Sequence, residues 1–428
     1  MKWTLITIAF TLLLPSIGAQ ELTLGALHEE AQAADPRLRQ LELEARQSEL
    51  RLRNLAAERR PSLSVEGQVQ YQSDVVEFPF AAPGGGGAPS PPKDTYDAYV
   101  RLEQSILDPS LRARVAAEGA RAAEAQARVE TALFGLRQEV NEAFFAAALL
   151  QEREAQIGAA ITDLEVRLRG AHLRVAEGVA LPSEPATIEA ALLARRQDAL
   201  QLRAQRRAAL GRLAELTGRH VALDQSLPIP DLAATVAAAR ARLDELRERP
   251  EYEQFARARE RLEAQKDLVR AQEEPRLSAY GRAGYGKPGL NFLSDDFDAY
   301  WLAGIRLQWR PFNWGATGRE RRQLELQQES IAAEEETFTR ALRRSLQNDL
   351  ATIDHLAEVL ALDERIVGLR EEIDRETKAR FDERVVTAAE LVDKNTDVVE
   401  ARLLRAAHRV ELAQAHARLL TLLGLETR

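Results

Sequence analysis

The chemical inventory of this 428-residue chain includes 67 acidic side chains, six histidines and no cysteine. Without cysteine there is no disulfide framework, thiolate metal site, cysteine nucleophile or thiol-linked lipid anchor. The histidines (28, 172, 220, 355, 408 and 416) are scattered. His408 and His416 are eight apart, which does not suit a one-turn metal pair, and both read as solvated surface. Gly281-Arg282-Ala283-Gly284-Tyr285-Gly286 matches a dinucleotide fingerprint only as a string. It lies within and just past an alternating segment, not between a strand and a helix, so these are strand glycines. No phosphate loop, zinc-protease pair or nucleophile elbow is present, so neither an enzyme nor a bound cofactor is expected. One constellation remains. Glu390 and Asp393 are three apart and share a helix face. Composition alone makes that an ordinary charged face.

These residues depend on the elements that carry them. Charged residues make up 29% of the chain and aromatics 5%, with Ala, Leu, Glu, Arg and Gln dominant, the composition of long helices. The net charge of −9 argues against a nucleic-acid partner. Lys2, the apolar run Thr4 to Leu14 and the small residues to Ala19 read as a secretory signal peptide over 1–19. No later apolar run is long enough for a transmembrane helix, so any membrane passage falls to strands.

The remainder is an internal duplication. Asp35-Pro36 corresponds to Arg249-Pro250, 214 positions on, and the same offset carries Pro61-Ser62-Leu63-Ser64 onto Pro275-Arg276-Leu277-Ser278 and Tyr71 onto Tyr285. Leu216-Thr217-Gly218 matches Leu422-Leu423-Gly424 at 206, the difference being a longer Pro/Gly-rich insertion in the first copy. The first helix–strand–strand–helix repeat is placed at 20–219, an equatorial linker at 220–248, and the second repeat at 249–428. Strict period-two alternation predicts strands at about 62–72 and 96–106, with a loop at 73–95, and at about 276–286 and 299–310. Each strand has one apolar and one polar side over about ten residues, the pattern of transmembrane barrel strands. Tyr71, Tyr96, Tyr285, Trp301 and Trp309 fall in or beside these segments, as membrane-interface aromatics do.

Elsewhere the chain is helical. A 3-4 apolar stripe runs from Leu136 to Leu168, and Val359, Leu362, Ile366, Leu369 and Ile373 repeat it in the second copy. Long helices of about 65 residues end near Gly178-Val179-Ala180-Leu181 and near Arg384-Val385-Val386-Thr387, and helices of about 35 residues return. The tips carry small and apolar residues where an isolated turn would favour polar ones. Four strands leave open edges that hydrocarbon does not tolerate, so several copies must share one barrel.

In its signal peptide, tandem order of elements, Pro-Ser-Leu-Ser strand start and Gly135-Leu136-Arg137-Gln138-Glu139-Val140, the chain resembles the TolC-like outer-membrane efflux family. The resemblance covers essentially the whole mature chain. It implies a mixed α/β membrane protein: a homotrimer whose strands close a twelve-stranded barrel in outer-membrane lipid, continued by a coiled-coil helical barrel into the periplasm. It further implies a passive exit duct for tripartite efflux or type I secretion, partnered by a periplasmic adaptor and an inner-membrane transporter. Gly178, Val179, Leu181, Arg384, Val385 and Thr387 would then be docking tips. Glu390 and Asp393 would line a periplasmic constriction, as the alternative to a solvated face. Many relatives carry a lipidated N-terminal cysteine, which this chain lacks. Val386 stands where a relative's closure-securing arginine stands. A periplasmic coiled-coil scaffold or adaptor without a pore is the alternative function.

Overall fold

A computed structural model describes residues 22–76, 90–241 and 249–425. The expected signal peptide, the Pro/Gly centre of the first-repeat loop and the end of the linker lie outside the described residues.

Proline punctuates both repeats in the same way. Pro36 opens α2 (Pro36–Ala57) and Pro250 opens α6 (Pro250–Ala271), where a missing N–H costs nothing. The residues before them are extended, as the proline ring requires: Asp35 at φ −70, ψ 127 and Arg249 at φ −80, ψ 141. Asp35 thereby separates α2 from α1 (Leu24–Ala34), which Thr23 caps through Oγ1. Pro61 and Pro275 end the helical stretches, and β1 (Ser62–Tyr71) and β3 (Arg276–Lys287) begin one residue later. Their partners are β2 (Asp94–Leu107) and β4 (Asp298–Gln308).

The strands form one antiparallel sheet in the order β1-β2-β3-β4. Its register aligns Val65, Val100, Ala283 and Trp301 across one face and Ser64, Arg101, Arg282 and Leu302 across the other. The apolar face is bare: Val65 is 78% exposed, Val69 77%, Trp301 75% and Ile305 70%. Asp108 then starts the first long helix, accepting from Ser110 N at 3.0 Å.

That helix, α3 (Pro109–Ala176), has 68 residues, and its counterpart α7 (Ala316–Asp382) has 67. The returning helices α4 (Ser183–Thr217) and α8 (Ala388–Leu422) have 35 each. A short α5 (Ala233–Arg240) lies in the linker. The chain divides into two compact units: Met1–Asp35, Gly135–Leu246 and Leu342–Arg428 form one, and Pro36–Phe134 with Arg247–Ala341 the other. Each draws on both repeats, and the second holds the sheet.

The first unit contains the deepest core. Leu27, Phe144, Ile188, Leu213, Leu419 and Leu420 are wholly buried there. The 3-4 stripe of α3 accounts for part of it, with Leu136, Val140, Ala143, Ala147, Ile157 and Leu164 buried. On α7 the buried row is Ile353, Leu356, Val367 and Phe381, whereas Leu362, Ile366, Leu369 and Ile373 face outward. One helix therefore carries two apolar rows, and among the described residues only one is covered.

The histidines need correcting. His416 is buried, and burial together with Arg240 pushes its ring pKa down; it is not solvated surface. His408 lies 2.6 Å from Asp363 as an inter-helix partner. Eight-residue spacing puts both on one face of α8, and that face packs inward.

Candidate functional site

The two helix tips belong to the first unit and share one backbone device. After α3, Gly178 adopts φ +72; its N–H donates to Val175 O at 3.0 Å, and Val179 N donates to Arg174 O at 2.9 Å. After α7, Arg384 adopts φ +66; its N–H donates to Phe381 O at 3.1 Å, and Val385 N donates to Arg380 O at 2.8 Å. Both are Schellman turns, which satisfy the last carbonyls of a helix and favour glycine in the left-handed position. The second turn carries arginine there instead. Leu181 (67%) and Val385 (69%) stand exposed at these ends, with Val179 at 37%. Thr387 caps α8, its Oγ1 accepting from Glu390 N at 3.2 Å. Thr387 and Glu390 therefore stand at the two positions of a capping-box sequence, with the threonine's half of it formed.

Glu390 and Asp393 are both exposed in the first turns of α8. Asp393 is not a lone charge. Lys394 Nζ sits 2.8 Å from its carboxylate and 3.7 Å from Asp397, which pairs at 2.5 Å with Arg370 on α7. The Asp393 hydrogen bond and charge hold the Lys394 ammonium above the ordinary lysine range.

Sequence reasoning missed a buried ion cluster above the tips. Arg167, 8% exposed, reaches Asp163 at 2.7 Å and Asp374 at 2.8 Å, and Asn395 donates to Asp163 at 2.9 Å. It lies beside an apolar core of Leu164, Ala171, Ile188, Leu192, Phe381 and Leu391. Nearer the tips, Arg174 pairs with Asp382 at 3.0 Å and covers the Phe381 ring at 4.2 Å. The available signal was Asp163 four residues before Arg167, interleaved with an apolar stripe.

The sheet's two faces separate by chemistry. At its loop end Tyr96 and Tyr285 both approach Phe297, with centroids 5.8 and 5.7 Å apart, and Tyr71 is 74% exposed. Past the other end of β4 stand Trp309 and a Phe312–Trp314 pair at 4.9 Å. Trp301 lies between, paired with Ala283. On the polar face Arg282 donates to Asp97 at 2.8 Å and to Tyr300, while Glu66 accepts from the Tyr99 hydroxyl. The whole Gly281–Gly286 string lies inside β3. A Cβ on Gly284 would meet Tyr99 Cβ at 2.7 Å and Ala98 O at 2.8 Å. Glycine lets the neighbouring strand and tyrosine approach there.

This is the TolC-like outer-membrane channel fold. The structure of CusC aligns at a TM-score of 0.70 with 16% identity, covering 95% of this chain and 92% of that one. The open state of the Neisseria gonorrhoeae MtrE outer membrane channel aligns at 0.68 with 18% identity, covering 95% and 89%. The Vibrio cholerae outer membrane protein VceC aligns at 0.66 with 16% identity, covering 95% and 97%. No curated protein sequence matches the chain. Residues 241–425, essentially the second repeat, match the outer membrane efflux protein family. That family is one of channel proteins, not enzymes.

Proposed function

We propose that the chain is a passive exit duct of the outer membrane, serving a tripartite efflux or type I secretion system and gated at its periplasmic end. Three copies close a twelve-stranded barrel. One observation carries this reading: among the described residues, a four-stranded sheet has a bare apolar face, and its outer strands, β1 and β4, each have one neighbour. Bilayer hydrocarbon covers the face, and neighbouring copies pair the edges. The dimensions agree. Ala299 pairs with Tyr285, and Trp309 lies ten residues further on, one residue past the end of β4. That is about 33 Å along a strand, or about 25 Å at a tilt of about 40°, the height of a barrel's apolar band. The outward row Leu362, Ile366, Leu369 and Ile373 on α7 suits a neighbouring copy's helices.

The tips Gly178, Val179, Leu181, Arg384, Val385 and Thr387 meet a periplasmic adaptor, which couples the duct to an inner-membrane transporter. Glu390 and Asp393 line the constriction. The mature protein carries no lipid on cysteine. A soluble periplasmic scaffold would not leave Val65, Trp301 and Ile305 uncovered on one sheet face. The test is assembly: protein extracted from outer membranes in mild detergent is expected to be a trimer of mixed helix and strand content. A monodisperse monomer, stable in buffer without detergent, would refute the duct.

A further inference from the structure

The polar face of the sheet carries two kinds of arginine. Arg101 and Arg282 are direct cross-strand partners, an arrangement that costs energy because like charges face each other. Arg282 is spent: it lies over the Tyr99 ring at 4.0 Å and the Tyr300 ring at 5.0 Å, and donates to Asp97 and Tyr300. Arg101 differs. Its guanidinium lies 5.5 Å from the Tyr99 centroid, and its nearest paired carboxylate, Glu66, stands at 3.6 Å. Arg306 repeats the arrangement over Tyr280 at 5.0 Å, with Glu103 at 3.7 Å. Both ion pairs exceed hydrogen-bonding distance. The side chains are 35% and 53% exposed. Arg306 pairs with Ser278 and Arg101 with Arg282, four residues apart on β3, so the two sites are about 13 Å apart along the strand.

A part-exposed guanidinium beside a ring, held only by a loose ion pair, can still receive an oxyanion, which it takes in a two-pronged fork. We propose that Arg101 and Arg306 form a two-step binding track for organic anions, with the anion on the guanidinium edge and an aromatic group of the cargo beside Tyr99 or Tyr280. This rests on the duct reading, which turns the polar face into the lumen and repeats each step three times. The glutamates beside the arginines lie too far away to fill the fork and close enough to hurry an anion's release. The track is therefore one of transit, not retention.

The probe is benzene-1,3,5-tricarboxylate, added to one side at a time of full-length trimers in planar bilayers. Wild-type current is expected to be blocked from the side of the strand loops and much less from the helix-tip side. In an Arg101→Gln/Arg306→Gln double variant, which leaves neither step a fork, the half-blocking concentration is expected to rise about tenfold or more, since each fork lost is worth about tenfold to the anion it holds. If the double variant does not assemble, Arg306→Gln alone replaces it, since that side chain is the more exposed. Equal block of wild type and variant, or equal block from both sides, overturns the track while leaving a conducting duct. A wild-type protein that opens no channels removes the duct reading, and the track with it.

Discussion

Acid should loosen the first unit through one histidine. His28 on α1 is 6% exposed, and its Nε2 lies 2.7 Å from Asn141 Oδ1 on α3. Asn141 Nδ2 donates to Thr421 Oγ1 on α8 at 3.0 Å, and Thr421 donates to Ala417 O at 3.0 Å. Burial pushes the ring pKa from 6.5 down to about 4, against the upward pull of Asn141 and with further lowering from the Arg137 charge. Between those two values the unfolded chain binds a proton that the folded chain refuses. Stability therefore falls as pH drops from 6.5 and levels off below 4. The slope is at most about 1.4 kcal/mol per pH unit, giving about 2 kcal/mol by pH 5 and about 3 kcal/mol in all, per protomer. His28→Gln removes the titration and keeps a donor for Asn141. Urea unfolding of detergent-solubilised protein, followed by far-UV circular dichroism at pH 7.5 and 5, gives the wild-type minus variant difference, from which the other titrating groups cancel. That difference should move by about 2 kcal/mol against the wild type on acidification. An unchanged difference would mean that the ring protonates in place, and the burial argument would fail.

Three further outcomes are expected. Glu390→Gln with Asp393→Asn removes charge at nearly constant size, and in planar bilayers the trimer should lose cation preference and block by trivalent cations from the tip side; equal selectivity would put the pair on the outer wall. Gly178→Glu with Val385→Glu should abolish export while the trimer still runs as a trimer, and unaltered export would reject tip docking. Gly284→Ala drives a methyl into Ala98 O and Tyr99, so β2–β3 pairing should weaken by about 1–3 kcal/mol in refolding titrations, with wild-type stability counting against the close approach.

What was legible in the sequence was whatever repeats along it. Alternation from Leu63 to Tyr71 and from Ala299 to Leu307 marks strands because successive side chains fall on opposite faces, one apolar and one polar. Pro36 and Pro250 mark helix starts through a local steric rule. The left-handed turn at Gly178 is readable from its glycine, but the same turn at Arg384 is not, since arginine ordinarily avoids it. The polar relay of His28, Asn141 and Thr421 joins three distant stretches, so no local pattern announces it. Arg167 resembled any charged residue beside a stripe; its burial depends on Asp374, 207 positions away. The outward row on α7 looked identical to the buried one, because periodicity marks an apolar face without saying what lies against it.

The two tips share one turn without sharing their side chains. Six copies of a single repeat would supply the same twelve strands as three copies of the pair. In the proposed trimer, tandem fusion lowers the rotational symmetry from sixfold to threefold and releases alternate positions from having to match. Gly178 answers Arg384 at an offset of 206, and Thr187 answers Asp393, whereas Glu184 still answers Glu390. A ring of six equal subunits seated on this rim would meet alternating neutral and charged sockets. Its six subunits would fall into two sets of three, working in two environments even if their sequences were the same.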